Sequence, residues 1–423
     1  MTNSSPKPVT LNQWLAYIEA LHPKAIAMGL ERVKEVANRL DLNQNFQIIT
    51  IAGTNGKGST CAMLEAIYLH EGYRVGCYTS PHLTRYNERV RVNGCEITDE
   101  SLCTAFAAVE AARGDVALTY FEMGTLAAVW HFVKTGLDVA ILEVGMGGRL
   151  DAVNVFEPAC AIVTSVALDH MEYLGDTREK IGFEKAGVYR ANKLAICGDD
   201  HPPQSVTDYA AEIGADLQLI GRDFSVEKTA NNWIYIDKKT KLVLPKLALH
   251  GDFQLNNAAC AMRAVQHLSE ILPVPAANIG AALRAVTLMG RFHQIQSNPP
   301  IIVDVAHNPQ AAQSLAHNLQ NTPCAGRTLA VFAMLADKDI AGVVSELAPH
   351  IAAWYLADIH NVRGAKAQNL QKNLGKLNTS SYSFENVATA LQAACKDAAK
   401  NDRIVVFGSF YTVADAIESL NFA

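Results

Sequence analysis

Residues 48 to 60, Ile48-Ile-Thr-Ile-Ala-Gly53-Thr-Asn-Gly56-Lys57-Gly58-Ser59-Thr60, set an apolar β-branched run directly before three glycines, one lysine and paired hydroxyls. Such a stretch folds as a buried strand that turns sharply into a helix, and the turn aims backbone N–H groups at an anion. The expected ligand is ATP or GTP, with Lys57 meeting the β/γ-phosphates and Ser59 or Thr60 holding Mg²⁺ at the helix N-terminus. The loop departs from the usual G-x-x-x-x-G-K-[ST] pattern, because two residues separate Gly53 from Gly56 and Gly58 stands between the lysine and the hydroxyls. A plain strand-to-helix turn would use a glycine or two, but not a lysine flanked by glycines with hydroxyls behind it.

A chain of 423 residues exceeds one ordinary core, so two domains are expected. Hydrophobic content of 49% with 18% charged residues describes a globular, enzyme-like chain. The net charge of −6 offers no global attraction for nucleic acid or anionic membrane, so phosphate binding must come from local devices such as the loop. Nine scattered cysteines without a C-x-x-C pair read as free, mostly buried thiols. The polar N-terminus lacks a signal-like apolar core, and no apolar run has bilayer-spanning length, so a cytoplasmic location is expected.

In the first half, strands are expected at Phe46–Ala52, Arg74–Thr79, Asp138–Val144, Ala159–Val166 and Lys193–Cys197, with helices over Lys57–Glu71 and Gly124–Lys134. Ile- and Val-rich strands separated by helices imply an α/β fold with a mostly parallel sheet covered on both faces. In the second half, strands Ile301–Val305, Thr328–Phe332, Ala353–Leu356 and Arg403–Phe407 alternate with helices near Pro309–Leu319, Ile340–His350, Val387–Lys400 and Thr412–Leu420. The expected organisation is an ATP-binding P-loop domain over 1–292, a linker over 293–300 and a smaller Rossmann-like α/β domain over 301–423.

Ligands of such sheets bind at the carboxyl ends of strands. Ser80, Glu143 and His170 supply a hydroxyl, a carboxylate and an imidazole at three expected strand ends, a set suited to metal ions beside nucleotide phosphates. Glu143 is hard to explain as core, since it follows Val-Ala-Ile-Leu and a buried carboxylate without a partner is costly. Asp304 and His307 stand at a strand end of the second half.

Gly53-Thr-Asn-Gly-Lys-Gly-Ser-Thr60, Thr79-Ser-Pro-His-Leu83, Thr119-Tyr-Phe-Glu122, Glu143-Val-Gly-Met-Gly-Gly-Arg-Leu-Asp151, Leu168-Asp-His170, Phe183-Glu-Lys-Ala-Gly187, Gly290-Arg-Phe292 and Asp304-Val-Ala-His-Asn-Pro309 occur in one order along nearly the whole chain. Together they resemble the folylpolyglutamate synthase family of the Mur ligase superfamily, most closely its bacterial bifunctional dihydrofolate synthase/folylpolyglutamate synthases. One departure is Leu288-Met-Gly290, where the family often has a proline before the glycine.

The resemblance implies an ATP-dependent amide ligase that converts a carboxylate to an acyl phosphate and lets the amine of L-glutamate displace phosphate, leaving ADP. The acceptors would be 7,8-dihydropteroate and reduced folates, the partners small molecules only, and the oligomeric state a monomer. By similarity, amides of Gly56, Lys57, Gly58 and Ser59, with Asn257, Arg291 and Asp304, would hold ATP. Ser59 and Glu143 would serve one Mg²⁺, and Ser80, Glu143 and His170 a second. Lys185 would carry a CO₂-derived carbamate near the second metal, and His307 would stand near the incoming glutamate. Dihydropteroate would lie against Ala27, Met28, Gly29, Leu30, Thr119, Tyr120, Phe121, Glu122, Leu150, Asp151 and Ala152, with Tyr120 and Phe121 offering flat faces. Rival readings are a folylpolyglutamate synthase without the first activity, a Mur-type ligase of another acceptor, a P-loop kinase and a nucleotide-gated binding module.

Overall fold

The computed structural model describes residues 8–24, 26–375 and 379–421. Two compact units account for them: one spans residues 1–166, 171–246 and 256–285, the other 167–170, 247–255 and 286–423.

The first unit is built on an eight-stranded sheet. Its strands are β1 (Gln47–Ala52), β2 (Val75–Tyr78), β3 (Val90–Val92), β4 (Cys95–Glu96), β5 (Val139–Glu143), β6 (Cys160–Val163), β7 (Leu194–Cys197) and β8 (Asp216–Leu219), in the order β4-β3-β2-β5-β1-β6-β7-β8. The six strands from β2 to β8 in that order run parallel, while β3 and β4 add an antiparallel edge. β5 and β7 are buried along their whole length, as the near-continuous apolar runs require. A separate antiparallel sheet, β9 (Phe224–Lys228), β10 (Asn232–Asp237) and β11 (Lys241–Pro245), follows in chain order. Its alternation of apolar and polar residues was not read from the sequence.

The second unit carries a six-stranded sheet of β12 (His293–Ser297), β13 (Pro300–Asp304), β14 (Thr328–Phe332), β15 (Ala353–Ala357), β16 (Ser380–Phe384) and β17 (Arg403–Phe407), ordered β12-β13-β17-β14-β15-β16. All neighbours are parallel except β12 and β13. The stretch 293–300, expected as a linker, is therefore corrected to strand β12 and the turn into β13. Its polar face misled the reading: β12 is an edge strand in which no residue is fully buried.

The helix Lys57–Glu71 matches expectation in both bounds, with Gly56 as a left-handed N-cap and Gly72 as a left-handed C-cap. The apolar helix expected from Gly124 begins earlier and spans Tyr120–Thr135. Thr119 and Glu122 make a reciprocal capping box that satisfies its first N–H groups. All nine cysteines are free thiols, five of them buried.

Candidate active site

β1, β5 and β2 are adjacent and parallel, so the residues that follow them emerge on one edge of the sheet. Gly53–Gly56 after β1, Glu143 at the end of β5 and Ser80 just beyond β2 are therefore brought together by pairing alone.

The phosphate loop is held from beneath by the end of β6. Thr164 Oγ1 donates to the carbonyls of Ala52 and Asn55 at 3.2 and 2.6 Å, and Ser165 Oγ donates to Asn55 O at 3.0 Å while accepting from Asn55 N at 3.1 Å. That closeness explains Gly53, which sits at φ +146 and whose Cβ, were there one, would lie 1.9 Å from Thr164 Oγ1. Gly56 at φ +92 faces Asn257 in the same way, with a Cβ only 2.4 Å from Asn257 Oδ1. Asn257 thus meets the loop from a distant part of the chain. Lys57 Nζ donates to the carbonyls of Gly53 and Thr54 at 3.0 and 3.3 Å, which keeps the ammonium against its own loop. Thr60 Oγ1 donates to Gly56 O at 3.0 Å, which ties the first turn of the helix to the loop.

Glu143 is 4% exposed, and its Oε2 accepts the backbone N–H of Ser80 at 3.1 Å. After it the chain turns through Gly145, Gly147 and Gly148, where side chains would collide: a Cβ on Gly148 would sit 2.9 Å from the carbonyl oxygens of both Glu184 and Lys185. Arg149 N donates to Glu184 O at 2.8 Å, and its guanidinium pairs with the Glu184 carboxylate. Lys185, buried at 4% exposure on the helix Arg178–Ala186, is thereby fixed beside the loop that carries on from Glu143.

Asp151 accepts from Met146 N at 2.9 Å and from Val153 N at 3.0 Å, tying off that turn. Burial pushes its carboxyl up to about 7, against the pull of backbone donors from Met146, Val153 and Gly145 and of the Lys57 charge. Phe121 packs onto Gly145, where a Cβ would come within 2.6 Å of the ring, and its ring lies 6.0 Å from that of Tyr78. Tyr120 meets Tyr86 edge-on at 5.8 Å. Both rings are half-buried with aromatic neighbours, so each serves packing on at least one side. Arg32 Nη2 donates to Ala27 O at 2.7 Å and to Glu122 Oε1 at 2.8 Å, which clamps the 27–30 segment to the N-terminus of the helix Tyr120–Thr135.

In the second unit, Asp304 accepts from Phe292 N and Ala306 N, each at 2.8 Å, and its carboxyl is raised by burial although Arg291 and those donors oppose the shift. His307 Nδ1 donates to Val305 O at 2.8 Å, leaving Nε2 3.5 Å from Asp169 Oδ2. Asp169 also contacts the ammonium of Lys338, and both side chains are nearly inaccessible. Burial alone would raise the Asp169 carboxyl; the hydrogen bond from His307 and the charges of His170, His307 and Lys338 overcome it and hold the group far below the usual carboxylate range. His170 takes a positive φ of 50°, and its N–H donates to Asp169 Oδ1 at 2.9 Å.

Sequence reading missed Thr164, Ser165 and Lys338. A hydroxyl pair closing a strand and a lysine between two aspartates are common patterns, and only their long-range partners set them apart. Among the described residues no three His, Cys, Asp or Glu side chains group to hold a metal by themselves. The oxygen donors of Ser59, Ser80 and Glu143 fit a hard cation that takes its other ligands from phosphate, as Mg²⁺ does.

The Mur ligase middle domain matches residues 51–265 and the Mur ligase glutamate ligase domain residues 290–410. The chain is 45% identical to the dihydrofolate synthase/folylpolyglutamate synthase of Escherichia coli over 97% of its own length and 96% of the relative's. A solved structure of E. coli FolC in complex with DHPP and ADP superposes with a TM-score of 0.94 at 44% identity, covering 99% of both chains. A bifunctional folylpolyglutamate synthase/dihydrofolate synthase with Mn, AMPPNP and L-glutamate bound superposes at 0.91 and 46% identity, covering 98% of both. No helix among the described residues is long and apolar enough to cross a membrane. The chain belongs to the dihydrofolate synthase/folylpolyglutamate synthase family of Mur ligases and is an ATP-dependent, ADP-forming ligase.

Proposed function

We propose that this chain joins L-glutamate both to 7,8-dihydropteroate and to reduced folates, each through an acyl phosphate. The observation that carries the reading is the convergence of the phosphate loop, Glu143 and Ser80 on three adjacent parallel strand ends, with Ser80 hydrogen-bonded to Glu143. Support comes from relatives bound to DHPP and ADP, or to Mn, AMPPNP and L-glutamate.

Amides from Gly56 to Ser59, with Lys57, would place the triphosphate so that its γ-phosphoryl group lies in line with the acceptor carboxylate, a task of position and electrostatics. The carboxylate oxygen bonds to γ-phosphorus as the bond to the β-phosphate oxygen breaks, giving ADP and an acyl phosphate. The amine of glutamate then adds to the acyl carbon, loses a proton and expels phosphate, leaving the amide. Ser59 and Glu143 would hold one Mg²⁺, and Ser80, Glu143 and His170 a second; the ions supply the charge that lets two anions approach. Lys185, buried beside the Glu143 turn, would act as a carbamate, an anionic ligand in place of a cation. His307, oriented by Val305 and Asp169, would serve the incoming glutamate, with Asn257, Arg291 and Asp304 on the nucleotide. The segments Ala27–Leu30, Thr119–Glu122 and Leu150–Ala152 would take the dihydropteroate.

Purified protein with MgATP and L-glutamate, assayed separately on each acceptor for ADP and for a glutamate-sized mass gain, tests the proposal. Gain on both acceptors is expected. Gain on one alone reduces the activity to that half, and gain on neither overturns the reading.

A further inference from the structure

Arg89 stands apart from the other arginines around it. Arg91 pairs with Glu65, Arg32 with Glu122, Arg113 with Glu110 and Arg85 with Glu96 and Asp99. Arg89 has no carboxylate partner among the described residues. The adjacent Glu88 cannot serve, because its two oxygens accept from Leu83 N, Thr84 N and Arg85 N at 2.7 Å and from Thr84 Oγ1 at 3.0 Å. The Arg89 guanidinium is nonetheless held in place. Its Nε donates to His82 Nδ1 at 2.8 Å, and its carbon lies 5.3 Å from the Tyr86 ring centre and 5.7 Å from that of Tyr120. With Nδ1 accepting, the His82 ring is neutral and adds no charge of its own; burial and the Arg89 charge both depress its pKa, to about 4.

A half-buried guanidinium immobilised by neutral partners carries a positive charge that no carboxylate among the described residues pairs with, and its terminal N–H groups suit the planar fork of a carboxylate. Its surroundings say which carboxylate. Tyr120 belongs to the Thr119–Glu122 segment, and His82 lies two residues beyond Ser80, which bonds Glu143. Phosphates have their own cradle at Gly53–Thr60. A folate that already carries glutamate has two carboxylates on that residue: the γ-carboxylate, which reacts, and the α-carboxylate, which does not. Dihydropteroate has only the reacting one.

We propose that Arg89, steadied by His82, Tyr86 and Tyr120, binds the unreactive α-carboxylate of the glutamyl residue on the folate acceptor and so favours that acceptor class. The proposal rests on the two-acceptor reading above. Losing one charge-assisted contact of this kind lowers affinity roughly 10- to 100-fold.

The test compares a reduced folate monoglutamate with the same folate bearing an α-carboxamide, by steady-state kinetics and by titration calorimetry, in wild-type protein and in Arg89→Gln and Arg89→Lys. In the wild type the amide should bind roughly 10- to 100-fold more weakly than the acid. In Arg89→Gln the two should bind alike, dihydropteroate should lose several-fold less than the folate, and Arg89→Lys should recover part of the discrimination. Equal discrimination in wild type and Arg89→Gln overturns the proposal, as does an equal loss for all three ligands, which would make Arg89 a packing residue of the shared pocket. If dihydropteroate is not a substrate, the two-acceptor reading fails, while the acid and amide comparison still decides the role of Arg89. Calorimetry decides it even for a variant too slow to assay.

Discussion

The backbone N–H of Ser80 reaches Oε2 of Glu143 across 3.1 Å, joining the chain just beyond β2 to the last residue of β5. Glu143 is buried to 4% exposure at the end of an apolar strand. Its carboxylate is thereby given a backbone donor at the strand end.

Glu143→Gln isolates the charge, since the amide oxygen can still accept from Ser80 while the anion is gone. Turnover should fall about 10²- to 10³-fold, and the Mg²⁺ concentration for half-maximal rate should rise. A variant with an unchanged unfolding midpoint and near-normal Mg²⁺ dependence would remove Glu143 from the metal site.

Gly53→Ala should abolish tight ATP binding, measured by nucleotide titration. The new Cβ would fall 1.9 Å from Thr164 Oγ1 at a φ of +146, so either the loop or the Thr164 buttress must move. Backbone strain of this type costs about 1–3 kcal/mol before the displaced hydrogen bonds are counted. Pairing it with Thr164→Gly should restore part of the binding, because the colliding hydroxyl is then absent.

Lys185→Ala should cripple turnover, and a short carboxylic acid in the buffer should restore part of it by supplying oxygen ligands. In the wild-type protein, ¹³C-labelled bicarbonate should give a carbamate resonance that the variant lacks. Full activity of Lys185→Ala would reduce the lysine to a buried structural residue.

Asp151 makes a pH prediction. Its folded-state pKa of about 7 lies above the ordinary carboxyl value of 3.8, so the native state holds a proton that the unfolded chain releases first. The stability this proton provides is complete below pH ~4 and is lost as pH rises to about 7, by ~4 kcal/mol at most. Urea unfolding between pH 5 and 8 should show that decline in the wild type and a shallower one in Asp151→Asn. Lys57→Ala removes a charge that lowers this pKa, so it should carry the decline to higher pH as well as raise the barrier to phosphoryl transfer by several kcal/mol. A folded Lys57→Ala protein with near-normal turnover would sink the assignment of the loop.

What the amino-acid order determined by itself is local or periodic. Lys57–Glu71 was legible in both bounds because glycines mark its ends, and β14 and β17 were legible as continuous apolar runs between turn residues. The phosphate loop was legible because its unusual residue types fall within a dozen consecutive positions. The edge strand β12 was not, since its polar residues read equally well as loop, and neither was the sheet of β9, β10 and β11, although β10 alternates buried Trp233 and Tyr235 with more exposed neighbours. Strand order was decided only by tertiary structure, and strand order is what brings Gly53, Glu143 and Ser80 to one edge. The same holds for Thr164 under the loop, Asn257 against Gly56, Lys338 on Asp169 and the arginine left without an acid. The first three depend on partners far apart in the chain, and Arg89, though His82 is only seven residues away, on having no acid beside it among the described residues; a hydrogen bond or an unpaired charge is a property of the pair and its burial rather than of either residue's place in the sequence.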